Sequence, residues 1–135
     1  MKVLVDTNIW SLALRRDANA PSTAVELLKS LIIANRVEMI GPIRQELLSG
    51  ISSESGFIQL AAKLDAYKDY PITTDDYVTA AKYYNICRRN GVQGSMTDFL
   101  ICAVAVNNGM LIFTNDKDFT NFSTHVPIRM LEDPR

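Results

Sequence analysis

Short apolar runs at residues 2–5, 37–40, 110–113 and 128–131 punctuate a chain whose remaining segments carry helical spacing. Parallel strands need a crossover of a dozen or more residues, usually a helix, whereas antiparallel neighbours can be joined by a tight turn. Long helical connections therefore predict an α/β sandwich, a parallel sheet with helices on both faces. In such sheets the working crevice lies beyond the carboxyl ends of the strands. The first run, Lys2-Val3-Leu4-Val5, ends directly in Asp6, and the run ending at Phe113 is followed closely by Asp116 and Asp118. Acidic residues thus fall where this architecture places its chemistry.

The helical segments can be placed from their punctuation. Ile9, Trp10, Leu12, Ala13 and Leu14 offer a core face right after the first strand. A second helix is expected to begin at Ser22 or Thr23, with Glu26 in position for a capping box and Val25, Leu28, Leu31 and Ile32 at helical spacing. Gly41-Pro42 opens a helix through Ile43, Leu47 and Leu48 that Gly50 stops. Further helices are predicted over 57–67, over 76–89 ending at Asn90-Gly91, and over 97–108 ending at Gly109. With no internal repeat, low-complexity segment or Pro/Ser-rich linker, the 135 residues read as a single domain.

Composition removes several function classes. The 14 Lys and Arg against 15 Asp and Glu leave no basic excess that would by itself announce nucleic acid, although local patches matter more than the sum. His125 is the one histidine, and no G-x-S-x-G elbow accompanies it, which disfavours a Ser–His–Asp triad. Cys87 and Cys102 have no CxxC spacing; they read as small buried helix residues in a reducing compartment, and with one histidine they are too few for a zinc site. No glycine-rich phosphate loop is present. No apolar run approaches the roughly 18 residues of a membrane span, and Asp6 interrupts any N-terminal signal segment. A soluble, cytoplasmic protein without a membrane partner is expected.

Carboxylate is what remains. Asp6, Glu46, Asp98 and Asp116 stand in four separate segments: Val5-Asp6-Thr7-Asn8, Arg44-Gln45-Glu46-Leu47-Leu48, Ser95-Met96-Thr97-Asp98-Phe99 and Thr114-Asn115-Asp116-Lys117-Asp118-Phe119. Asp6 and Asp116 converge if their strands are neighbours. Carboxylates brought together raise one another's pKa unless a cation neutralises them, and Mg²⁺ or Mn²⁺ suits oxygen ligands of this kind. Bound ions can activate water and stabilise the leaving oxygen of a phosphodiester without a histidine base. Each acid also has a structural reading. Asp6 could cap a helix, Asp98 could complement a helix dipole, Glu46 could face solvent, and Asp116 and Asp118 could be turn residues.

The order of these segments is itself informative. Val-Leu-Val-Asp6-Thr7-Asn8, then Glu46-Leu-Leu-Ser-Gly50, then Thr97-Asp98-Phe-Leu-Ile-Cys-Ala-Val-Ala105, then Thr114-Asn-Asp116-Lys-Asp118-Phe119 resembles the PIN-domain ribonucleases, and within them the VapC toxins of type II toxin–antitoxin pairs. The resemblance spans nearly the whole chain. It implies a PIN-like three-layer α/β/α sandwich around a central parallel sheet and a metal-dependent endoribonuclease. Asp6 and Asp98 would be the principal Mg²⁺ or Mn²⁺ ligands. Asp116 would complete the site directly or through water, and Glu46 would orient a ligand water or the nucleophile. Thr7, Asn8 and Thr114 would support them by hydrogen bonds. The last motif varies in length across the family, so Asp118 competes with Asp116 for its role; Asp118-Phe119 looks suited to pinning the turn instead. The implied partners are an RNA substrate, a cognate VapB-type antitoxin covering the acidic site, and a second copy in a homodimer. The apolar segment 57–64 offers a groove for the antitoxin.

Other features carry two readings each. Arg15-Arg16 and Arg88-Arg89 end helices, where cations complement the dipole, but they could also meet phosphate. Tyr77, Tyr83 and Tyr84 lie on one helix and could pack in a core or dimer or stack bases; Trp10 reads as core. Alternatives to the nuclease fit the residues less well. One is an inactive PIN-like interaction module, which would have lost acids that are all present here. The other is a haloacid-dehalogenase-type phosphatase, which needs a second aspartate where this chain has Asn8. A phosphoreceiver domain, also α/β, would need an acidic pair after the first strand and a lysine at the end of the last, and this chain lacks both.

Overall fold

The computed structural model describes residues 1–14 and 22–132; Arg15 and Arg16 lie outside them. Three strands, β1 (Val3–Val5), β2 (Val37–Glu38) and β3 (Leu111–Phe113), form one sheet in the order β2-β1-β3. Both pairings are parallel, with Val3 opposite Val37 and Leu111, and Val5 opposite Phe113. Successive strand residues point to opposite faces, yet Val3, Leu4 and Val5 are all fully buried, so the central strand is covered on both sides. The fold is α/β, a parallel sheet flanked by helices, as the spacing of the apolar runs predicts.

The helices are α1 (Thr7–Leu14), α2 (Thr23–Ile33), α3 (Gly41–Leu48), α4 (Glu54–Leu64), α5 (Thr74–Arg89), α6 (Met96–Asn107) and α7 (Asp118–Ser123). Caps decide where they start. Ser53 accepts from the Gly56 N–H at 2.8 Å and begins α4 three residues before the predicted start. Thr73 with Asp76, and Ser95 with Asp98, form reciprocal capping boxes for α5 and α6. At α2 the expected box does not form. Ser22 is the cap, which places Val25 at the third helical position and leaves Glu26 to pair with Lys29 at 3.5 Å. Gly91 and Gly109, at φ 73° and 66°, follow the ends of α5 and α6 in a conformation that other residues rarely adopt.

Two predicted spans are corrected. Residues 128–131 form no strand; they contribute one parallel bridge, Ile112 opposite Met130. Pro127 supplies no N–H, and the Ile128 N–H turns back to the Val126 carbonyl at 2.9 Å, so the chain runs alongside β3 only from Arg129. The turn expected at 116–118 continues into the short helix α7, which buries Phe119 and Phe122 completely.

Helix α6 is the hub. Phe99 through Ala105 are buried without interruption, as in a helix surrounded by protein on all sides. It packs most extensively on α5 and also meets β1 and β3. Cys87 and Cys102 are free and buried, and Trp10 lies in the core with its ring 5.0 Å from that of Tyr67. Among the described residues no helix is long and apolar enough to cross a membrane.

Candidate active site

The adjacency of β1 and β3 delivers two residues to the same level. Asp6 follows Val5 and Thr114 follows Phe113; the Asp6 N–H donates to the Phe113 carbonyl at 2.9 Å, extending the ladder one step past the strands. The Thr114 hydroxyl then donates to Asp6 Oδ2 at 2.8 Å, while the Thr7 N–H donates to Oδ1 at 2.7 Å. Asn8 closes the frame. Its Nδ2 lies 3.4 Å from Asp6 Oδ2 and 3.2 Å from Thr114 Oγ1, and its Oδ1 accepts from the Asn115 N–H at 3.0 Å. Asp6 is only 6% exposed, so both of its oxygens are held in fixed directions.

Thr7 also reaches α3. Its hydroxyl donates to Glu46 Oε2 at 2.8 Å, fixing an otherwise exposed side chain beside the buried aspartate. Asp98 comes from the first turn of α6. The Ser95 N–H donates to its Oδ2 and its own N–H donates to Ser95 Oγ, both at 3.0 Å, which leaves Oδ1 without a hydrogen-bond partner among the described residues. The turn after β3 supplies Asp116, half-buried, whose N–H donates to Thr114 Oγ1 at 3.0 Å and whose Oδ1 accepts from the Asp118 N–H at 2.9 Å. Asp118 is exposed at the start of α7, while Phe119 beside it is buried.

The electrostatics tie the four acids together. Burial pushes the Asp6 carboxyl above its ordinary range against the lowering effect of Thr114 and Thr7, and the charges of Asp98 and Glu46 add to the rise. Asp98 is raised in the same way, by burial first and then by Asp116 and Glu46, against the Ser95 hydrogen bonds. No Lys, Arg or His forms an ion pair with any of the four among the described residues. The donor set of these acids is all oxygen, the chemistry that suits a hard divalent cation. Among the described residues no three His, Cys, Asp or Glu side chains come close enough together to form a metal-binding group. Behind the acids, burial and the charges of Asp98, Cys87 and Asp6 push the Cys102 thiol far up, so it is no nucleophile.

The PIN domain family model matches residues 3–124. The chain belongs to the PIN-domain family. It is homologous to the VapC-family toxins of type II toxin–antitoxin systems: over 119 residues it is 30% identical to VapC ribonuclease Mb1587 of Mycobacterium bovis and to ribonuclease VapC11 of Mycobacterium tuberculosis, covering 87% of this chain and 88% of each relative. Solved structures share the fold. FitAcB from Neisseria gonorrhoeae aligns with a TM-score of 0.75 at 20% identity over 96% of both chains. VapBC2 from Rickettsia felis, bound to a DNA fragment from its promoter, aligns with the same score and identity over 98% of both.

Within this PIN domain one supporting residue escaped the reading of the sequence. Ser95 orients Asp98, and the signal was present as a Ser-x-x-Asp capping box directly before the apolar run of α6. His125 lies half-buried just beyond α7, and among the described residues no hydrogen bond or ion pair links it to the acids.

Proposed function

We propose that this PIN domain is an endoribonuclease of the VapC kind, which hydrolyses RNA phosphodiester bonds with Mg²⁺ or Mn²⁺ and is silenced by a cognate antitoxin. The observation that carries the reading is the convergence of Asp6, Glu46, Asp98 and Asp116 at the carboxyl ends of β1 and β3, mutually repelling and without a cationic partner among the described residues. Asp6 and Asp98 would hold the ion, with Asp116 completing its shell directly or through water. When bound, the ion supplies Lewis-acid stabilisation of the phosphate and a more acidic water. Glu46, tethered by Thr7, orients the attacking water and takes up its proton. Thr114 and Asn8 keep Asp6 from turning away, and Ser95 does the same for Asp98. Asp118 supports the turn through its N–H rather than through its carboxylate.

An antitoxin segment has a place to lie. Leu14, Leu47, Ile51 and Leu60 line a hollow between α1, α3 and α4, with Phe57 and Ile58 exposed on α4. An amphipathic helix is the partner such a groove takes. We also propose that the chain acts in the cytoplasm as a homodimer. The test is cleavage of structured RNA by the antitoxin-free protein with Mg²⁺, with EDTA, and by Asp98→Asn. Cleavage that requires both the ion and Asp98 supports the reading. Equal cleavage by Asp98→Asn refutes the site.

A further inference from the structure

Arg44 stands two residues before Glu46 on α3, half-buried, and its guanidinium reaches three acceptors outside that helix. Nε donates to Asp69 Oδ1 at 2.9 Å in an ion pair, Nη1 donates to the Leu64 carbonyl at 3.0 Å, and Nη2 donates to the Tyr67 carbonyl. Leu64 ends α4, so the arginine meets one of the carbonyls that a helix leaves open at its carboxyl end. The gripped segment, residues 64–70, is itself fixed on two sides. The Tyr70 N–H donates to the Met39 carbonyl at 2.7 Å, next to the parallel bridge of Met39 with Asp69, which joins the segment to the sheet edge just past β2. The Tyr67 ring packs on Trp10 of α1. Helix α3 has little else to fix it. It is eight residues long, no side chain caps its start, and only Ile43 and Leu47 are buried. A helix this short is held by its contacts and not by its own propensity. Burial of two apolar side chains is non-directional, so by itself it tolerates roll and slide.

We infer that Arg44 is a positioning residue for Glu46: its three-way grip sets the roll and height of α3, and with them where the Glu46 carboxylate meets the acidic cluster. The inference rests on the endoribonuclease reading, in which Glu46 orients the attacking water. Two residues of helix are about 200° of rotation, so Arg44 and Glu46 leave opposite sides of α3. Both sides lead back to α1. Glu46 reaches it directly through Thr7, and Arg44 reaches it by way of Tyr67 and Trp10. The helix is therefore held across its width by directed bonds, and a change at one flank is felt at the other. A lysine at position 44 would keep the charge, but a point donor cannot span the three acceptors that the planar guanidinium reaches.

Cleavage of structured RNA in Mg²⁺ by Arg44→Lys, alone and combined with Glu46→Gln, tests the inference, with single-turnover rates for the slow variants. Arg44→Lys should lower kcat about 10-fold, within the roughly 10²-fold that a 1 Å misplacement can cost. KM should stay within about twofold, since the lost contact serves the transition state alone. In the Glu46→Gln background, itself slower than wild type, the same substitution should change the rate less than about twofold, because the base it positions is gone. In EDTA, hydrogen exchange of Arg44→Lys should rise across α3 while β1 and α6 keep their protection. An unchanged kcat in Arg44→Lys, an equal loss in both backgrounds, or protection lost throughout the chain would each make Arg44 a structural residue only and overturn the inference, leaving the nuclease standing. Glu46→Gln cutting as fast as wild type would overturn it as well. If the wild type cuts no RNA, the nuclease reading fails and takes the inference with it. Asp69→Ala removes one acceptor from the far side of the grip and should repeat the pattern at smaller size, which keeps the test open should Arg44→Lys lose its fold.

Discussion

Thr7 holds Glu46 across 39 residues of chain, its hydroxyl donating to Oε2 at 2.8 Å. The same residue fixes Asp6 through its backbone N–H, so one side chain sets the spacing between a buried ligand candidate and an exposed base candidate. Thr7→Val keeps the β-branched shape and the N–H but removes the tether. If Glu46 orients the attacking water, kcat on RNA should fall about 10-fold, roughly 1.4 kcal/mol, while thermal stability stays close to that of the wild type. Thr7→Ser should restore the rate. A Thr7→Val enzyme with an unchanged kcat would show that Glu46 needs no tether.

Asp98 offers a prediction about pH. Its carboxyl is raised above the ordinary value of 3.8 by burial and by the neighbouring acids. The folded chain therefore binds a proton more tightly than the unfolded chain, and stability falls as pH rises from 3.8 through the raised value. Asp98→Asn removes that loss, and the asparagine oxygen can still accept from the Ser95 N–H. In EDTA at pH 7 the variant should melt above wild type. The gap should close as the pH drops below the ordinary carboxylate range. A variant that melts lower at pH 7 would mean that Asp98 contributes more as a cap than it costs as a buried charge.

The architecture was legible because β1 and β3 are continuous apolar runs separated by helices too long for antiparallel turns. The position of Asp6 followed from Val5 being the last strand residue. The links that make these acids a site were less legible. The bond from Thr7 to Glu46 and the bond from Thr114 to Asp6 depend on strand order and on the tilt of α3, which local spacing does not encode. Helix starts were misplaced where a serine or threonine cap stood upstream of the first apolar residue, as at Ser53 and Thr73. The short helix α7 escaped because two of its six residues, Phe119 and Phe122, are enough to bury it, too few to show a period.

Ser95 connects stability to the site. It caps α6, the most buried helix, and holds Asp98 Oδ2. Ser95→Ala removes the acceptor for the Asp98 N–H and should cost about 1 kcal/mol in denaturant unfolding. Because the Ser95 N–H still donates to Asp98, cleavage should fall only modestly, and Ser95→Thr should recover both properties. Loss of all cleavage with no loss of stability would give Ser95 a direct part in the chemistry instead of a positioning one.

Metal binding can be read without any RNA present. Asp6 and Asp98 repel each other and lack a cationic partner among the described residues, so an ion between them removes an unfavourable term as well as adding ligand bonds. A ligand that binds only the folded state stabilises by RT ln(1 + [L]/Kd), about 2.7 kcal/mol at 100 times Kd. Millimolar Mg²⁺ or Mn²⁺ should therefore raise the Tm of the wild type, and EDTA should reverse the rise. Asp98→Asn should begin from a higher Tm in EDTA and gain little from either ion. Asp6→Asn should also lose the response, but from a lower start, because its amide would face Asn8 Nδ2, donor against donor. Asp118→Asn should keep the full response, since only its backbone N–H meets Asp116. An equal Mg²⁺ shift in wild type and Asp98→Asn would place the ion elsewhere and remove Asp98 from the metal site.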